Sequence, residues 1–253
     1  VIGARGLMIT RGHPPRKKFD ARREGLQMAR RTIVVGDIHG CYDELRDLLD
    51  KVALTADDRV VAVGDLIVKG EKNREVLDLF STDARFSAVI GNHDRALLRY
   101  WLGETDKLKK TQKKVRKELK PERERYKAYL ASLPPMIDLG SHLVVHAGLR
   151  PGVALSEQSI EDLTELRTLG RKRESRKGTP WYEVYDGRQT VLFGHWPSQA
   201  PRRGRRALGL DTGCVYGYEL TAYVVESDEL VSVKARRAYD PPQKPSADEK
   251  DEG

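Results

Sequence analysis

Five short segments of this chain place cation-binding or proton-carrying side chains beside glycine: Gly36-Asp37-Ile38-His39-Gly40, Gly64-Asp65, Gly91-Asn92-His93-Asp94, His146-Ala147-Gly148 and Gly194-His195. Of the six histidines, only His13 and His142 lie elsewhere. An Asp-x-His pair supplies oxygen and imidazole nitrogen to one cation, a lone Asp can bridge two, and Asn with two His completes a second site. Asp37, His39, Asp65, Asn92, His146 and His195 thus offer donors for two divalent cations. Mixed oxygen and nitrogen ligation suits manganese, zinc, iron or cobalt and suits calcium poorly. Two such ions about 4 Å apart clamp phosphoryl oxygens and generate a bridging hydroxide near neutral pH, which would attack phosphorus directly. His93 adjoins Asn92 and cannot easily reach the same ion, which leaves it to protonate a leaving oxygen as general acid. Glycine beside these residues lets the chain turn and approach a cluster closely.

Each segment follows a short apolar run, and the runs read as strands: Thr32–Val35, Arg59–Val63, Phe86–Ile90, His142–Val145 and Thr190–Phe193, with Leu220–Val225 and Leu230–Val233 later in the chain. Helical patterning covers Tyr42–Lys51, Asn73–Phe80 and Asp94–Trp101. The first half therefore alternates strand and helix, as βαβ units do. Ligands of open α/β sheets bind at the carboxyl ends of the strands, so the five loops are expected to converge. From 105 to 133 Lys, Arg, Glu and Leu dominate, with Pro121 as an internal break, and the segment reads as a helical pair inserted beside the site.

The chain has 253 residues, 39% hydrophobic and 33% charged, enough for one α/β domain with a heavily charged surface. The domain is expected at 29–236, after a flexible basic extension at 1–28 and before a disordered tail at 237–253. Met28 precedes Ala29-Arg30-Arg31 and the first strand, so a start there would remove the extension. A net charge of +8 favours polyanionic partners, although mixed-charge helix faces explain many of the basic runs. Two cysteines, Cys41 and Cys214, do not make a disulfide framework and read as small buried thiols. No run approaches the roughly 18 apolar residues of a membrane span. A cytoplasmic protein with no membrane partner is expected.

The order and spacing of the five segments resemble the phosphoprotein phosphatase superfamily of calcineurin-like metallophosphoesterases, from about Ile33 to Val225. The resemblance implies an α/β fold, the αββα four-layer sandwich, with a two-metal centre and no covalent phosphoenzyme. By position it implies that Asp37 and His39 bind the first metal, that Asp65 bridges, and that Asn92, His146 and His195 bind the second. Gly64-Asp65-Leu66-Ile67-Val68-Lys69-Gly70, Leu166-Arg167-Thr168-Leu169, Pro180-Trp181 and Leu210-Asp211-Thr212-Gly213-Cys214-Val215-Tyr216-Gly217 are most similar to the ApaH-like branch, related to diadenosine tetraphosphatases.

One departure bears on mechanism. Most relatives carry Asp-Arg where this chain has Val68-Lys69; that Asp hydrogen-bonds the acid histidine and that Arg forks onto phosphate. Val68 can do neither, so His93 needs another partner or a leaving group that requires little protonation, which favours phosphoanhydrides. Lys69 would attract phosphate as a point charge, and Arg167 is the candidate for the missing fork, against the alternative of a solvated helix residue. Asp94 either supports a ligand histidine or favours the N-terminus of the helix that follows. Trp181, Tyr182 and Tyr216 could stack a nucleobase, against core or rim packing.

These features lead to a phosphoanhydride or phosphoester hydrolase acting on dinucleoside polyphosphate, polyphosphate or capped RNA, the last making nucleic acid a possible substrate. Its rivals are a serine/threonine protein phosphatase, which uses the same centre, and an impaired module that only binds polyanions.

Overall fold

In β1 (Thr32–Val35) the side chains alternate between two apolar environments. Ile33 and Val35 pack with the apolar faces of helices, whereas Val34 packs with residues of a second sheet. The same period recurs in β2 (Arg59–Ala62), where Val60 and Ala62 face helices and Val61 faces the other sheet. Each such Val or Ile side chain contributes about 1.5–3 kcal/mol on burial. A one-residue slip would exchange the helix-facing and sheet-facing sets.

The computed structural model describes residues 30–241 apart from residue 171. One sheet has the order β10-β9-β1-β2-β3, with β3 (Phe86–Ala88) parallel to β2, and β9 (Glu219–Val224) and β10 (Glu229–Lys234) antiparallel on the other side. The second has the order β4-β5-β6-β8-β7: β4 (Met136–Asp138), β5 (His142–Val145), β6 (Thr190–Phe193), β7 (Arg202–Gly204) and β8 (Ala207–Gly209). Here β5, β6 and β8 run parallel.

Three apolar clusters separate four layers. Val34, Val61, Val144 and Leu192 meet between the sheets. Outside the first sheet lie α1 (Tyr42–Lys51), α2 (Asn73–Thr82), α3 (Asn92–Trp101), α4 (Lys110–Glu118) and α5 (Arg123–Ser132), which bury Leu45, Leu48, Val76, Leu97, Val115 and Leu130. Outside the second, α6 (Ile160–Glu165) and α7 (Trp181–Val184) bury Leu163, Trp181 and Tyr182 against Leu143, Val145 and Phe193. This is the αββα sandwich. The inserted segment holds α4 and α5, joined by a short 3-10 turn at Pro121. No helix among the described residues is long and apolar enough to cross a membrane.

The sequence reading missed β4, β7 and β8, each three residues long. Arg202-Arg203-Gly204 reads as a basic run, and its pairing as an edge strand is tertiary in origin. The domain also extends past 236. Tyr239 N and Asp240 N donate to Val215 O, and the Tyr239 hydroxyl donates to Glu44 Oε1, so residues 237–241 belong to the domain rather than to a tail. The extension at 1–28 and the tail beyond 241 lie outside the described residues.

The starts of β1 and β2 are clamped by Arg31, whose Nη2 and Nε donate to the two Asp58 carboxylate oxygens at 2.6 and 3.0 Å. Asp58 is buried and also accepts from Thr55 N. The Arg31 guanidinium holds its carboxyl well below the usual carboxylate range. Such a group stabilises the fold fully above its unfolded pKa and loses that contribution as pH falls through the folded one. Asp58→Ala is expected to cost about 2 kcal/mol at pH 7 by urea denaturation, a difference that shrinks below about pH 4.

Candidate metal centre

The loops after β1, β2 and β3 leave the carboxyl edge of the first sheet, and those after β5 and β6 leave the same edge of the second. They are stitched together through their ligand-type side chains. Both Asp37 carboxylate oxygens accept from His195 N, at 3.1 and 3.2 Å, which joins the two sheets. Asp65 Oδ1 accepts from His93 N at 2.9 Å. The structure thus brings Asp37, His39, Asp65, Asn92 and His195 to one cavity, with His146 wholly buried beside Asp65 and Asn92. Asp65 belongs to two groups whose ligand atoms lie within 4.8 Å of one another: one with Asp37 and His146, the other with His39 and His93.

Backbone carbonyls select the histidine tautomers. His39 Nδ1 lies 3.2 Å from Ile67 O and His146 Nδ1 2.9 Å from Val63 O. A carbonyl only accepts, so each Nδ1 carries the proton and each Nε2 presents a lone pair to the centre. His39 Nε2 lies 3.4 Å from Asp65 Oδ2, and His146 Nε2 lies 3.5 Å from the same oxygen. His146 Nε2 also stands 3.0 Å from Asn92 Oδ1, which His195 Nδ1 approaches at 3.1 Å. His195 Nε2 is buried with no hydrogen-bond partner.

The electrostatics point the same way. Burial pushes Asp65 and Asp94 up to about 7 and Asp211 up to about 6. Asp37 is raised well above its usual range by burial, with Asp211 and Asp65 adding repulsion. Burial lowers His146 to about 4 and holds His39 and His195 well below the ordinary imidazole range. Acids crowded together, lone pairs facing lone pairs and an orphaned imidazole nitrogen are relieved at once by divalent cations. The donor set fits them.

The remaining candidates divide. His93 lies at the cavity with its ring edge-on to His39, 5.1 Å between centroids. Its Nδ1 is buried without a partner, and burial, Lys69 and Lys109 hold its pKa well below the usual range. Lys69 Nζ stands 3.1 Å from His39 Nε2 and donates to the Tyr216 hydroxyl at 2.9 Å. Arg167 follows α6 and is not a solvated helix residue. Its Nη1 and Nη2 donate to Glu174 O and His195 O, so much of its fork holds the His195 loop.

Asp94 does not meet His93. Its carboxylate accepts from Gly91 N, Leu66 N and Ile67 N, so it caps α3 and anchors the Asp65 loop. Trp181 and Tyr182 are core residues: the indole donates to Ala147 O, and the Tyr182 ring stacks on Phe193. Only Tyr216 of the three aromatics lines the cavity.

Sequence reasoning gave no role to Asp211, which is buried, lines the cavity and repels the Asp37 carboxylate, raising its pKa. Its signal was weak, because the strand that precedes it is only three residues long.

The family model for calcineurin-like phosphoesterases matches residues 30–229. Among curated proteins, the asymmetrical bis(5'-nucleosyl)-tetraphosphatase PrpE of Bacillus subtilis (strain 168) is 30% identical, over 82% of this chain and 96% of its own. A symmetrical bis(5'-nucleosyl)-tetraphosphatase of Neisseria meningitidis is 27% identical, over 81% and 96%. Among solved structures, a candidate diadenosine tetraphosphatase is 32% identical with a TM-score of 0.68, covering 83% of this chain and 95% of its own. A serine/threonine phosphatase of Saccharomyces cerevisiae shares the fold at 15% identity and a TM-score of 0.59 over 86% of this chain and 82% of its own.

Gly194 packs so closely on the centre that a Cβ there would collide with Asp37 Oδ1 and Val63 Cγ2. Gly194→Ala is expected to lower bound divalent metal, measured by elemental analysis, and to reduce turnover about 100-fold through misplacement of Asp37. Unchanged metal content and turnover would show that Asp37 does not need this approach.

Proposed function

The chain belongs to the calcineurin-like phosphoesterase family, and from that premise we propose that it hydrolyses phosphoanhydride bonds of dinucleoside polyphosphates at a pair of divalent cations. Asp37, His39 and Asp65 would hold one cation, and Asp65, Asn92, His146 and His195 the other. Bound there, such ions supply Lewis acidity and acidify a water to near neutral pH. The residues themselves do the rest. His93 delivers a proton to the leaving oxygen, Lys69 draws a phosphate oxygen toward the floor, and Arg167 holds the His195 loop while adding positive charge. Asp211 faces the same floor and would orient water or donors there.

The observation that carries the anhydride reading is the His93 ring, whose Nδ1 is buried without a partner. The side chain at the position where most relatives carry an orienting Asp is Val68, which is wholly buried among apolar residues. Asp94, the neighbouring acid, is spent on backbone amides. An acid without an oriented ring serves best when the leaving group is itself a weak base, as a phosphate is. The cavity supports a long polyanionic substrate: about 850 Å³, with Arg99, Lys107, Lys109, Lys110 and Arg176 around its wall.

Parallel assays on diadenosine tetraphosphate, long-chain polyphosphate, capped RNA and a phosphopeptide test the reading. Metal-dependent turnover of the dinucleotide is expected, lost in Asp65→Asn, and the products distinguish symmetrical from asymmetrical cleavage. Turnover of the phosphopeptide alone would make the chain a protein phosphatase, and no turnover with any divalent ion would leave a polyanion-binding module.

The general-acid role has its own test in a series of aryl phosphates of rising leaving-group pKa. His93→Asn is expected to lose about 100-fold or more with the poorest leaving groups and much less with the best. A uniform loss across the series would remove His93 from proton transfer.

A further inference from the structure

A second cluster of cation-binding side chains lies outside the centre. Cys41 precedes α1, Glu44 lies in its first turn, and Cys214 opens the 3-10 turn 214–216. Two thiol sulfurs and a Glu44 carboxylate oxygen stand within 4.8 Å of one another. All three residues are buried, at 1%, 0% and 2% exposure, and both cysteines are free thiols.

The carboxylate is only half satisfied. Glu44 Oε1 accepts from Arg236 N at 2.9 Å and from the Tyr239 hydroxyl at 2.8 Å, whereas Oε2 is buried with no partner. Buried polar atoms are rarely left in that condition. A disulfide between the two sulfurs would leave Oε2 as it is. A cation would engage both sulfurs and the carboxylate together.

We propose that Cys41, Glu44 and Cys214 form a structural site for a thiophilic divalent cation of the zinc class, separate from the centre that shares Asp65. Thiolate ligands select soft or borderline ions, and zinc with sulfur and oxygen donors needs no redox partner. Binding releases the two thiol protons to solvent. The site would tie together three segments that border the cavity: Cys41 is two residues from His39, Cys214 three from Asp211, and Glu44 holds the backbone at Arg236. It would therefore brace the floor without touching substrate.

Cobalt(II) reads this site directly, because the centre around Asp65 has no sulfur donor and only a thiolate ligand produces an intense charge-transfer band in the near ultraviolet. Titration of the reduced full chain with cobalt is expected to develop that band and to saturate at one equivalent of the thiolate-bound ion, with zinc displacing it. The band should survive in Asp65→Asn, vanish in the double variant Cys41→Ser/Cys214→Ser, and require about tenfold or more cobalt in Glu44→Gln. Circular dichroism checks that each variant folds. Absence of the band in the unmodified chain overturns the proposal whatever the variants do, and so does a band that persists without the two cysteines. Phosphatase activity does not enter this readout, so failure of the proposed reaction and failure of this site remain distinct.

Discussion

The structure depends on burying several carboxyl groups and imidazoles at the junction of two sheets. Asp37, Asp65, Asp94 and Asp211 are each at most 7% exposed; burial raises the pKa of all four, and repulsion from a neighbouring acid adds to it at Asp37, Asp94 and Asp211. Hydrophobic burial must offset that cost, and the site loops share in it: Ile38, Leu66, Ile67 and Val68 are wholly buried in the cluster outside the first sheet. Divalent cations would change the balance by converting repelling acids into ligands around a shared charge.

Rigid placement follows from the same junction. His39, Asp65, Val68, Lys69 and His195 all adopt left-handed backbone, with φ of 49°, 48°, 79°, 74° and 66°. Each such residue costs about 1–3 kcal/mol and persists only where its surroundings overdetermine it. Here they do: Gly70 N donates to His39 O, Val68 N donates to the Asn73 side chain, and Asp94 fastens Leu66 and Ile67. The strain aims side chains that regular strand ends would point away from one another.

The Val68 and Lys69 side chains divide between the core and the site. Val68 joins the apolar cluster outside the first sheet, so the loop gains packing where an acid would need a partner. Lys69 reaches inward to Tyr216 and His39, so its charge lies against the buried acids rather than at the rim. It lowers the cost of ionising Asp65 and Asp211 while disfavouring protonation of His39 and His93.

The sequence by itself determined the strands that end in ligand-type residues and the convergence of their loops, because alternation of apolar side chains and the glycines at strand ends are local signals. It also singled out all six candidate ligands, since Asp, Asn and His clustered after apolar runs are rarely demanded by packing. Only the tertiary structure decided that Asp94 binds backbone amides, that Arg167 holds the His195 loop and that Tyr239 seals the domain against Glu44. These roles depend on partners from 3 to 195 residues away in the chain. Asp211 and the pairing of Cys41 with Cys214 were hidden for the same reason: their meaning lies in which charges and sulfurs the two sheets bring face to face, and no local pattern encodes that distance.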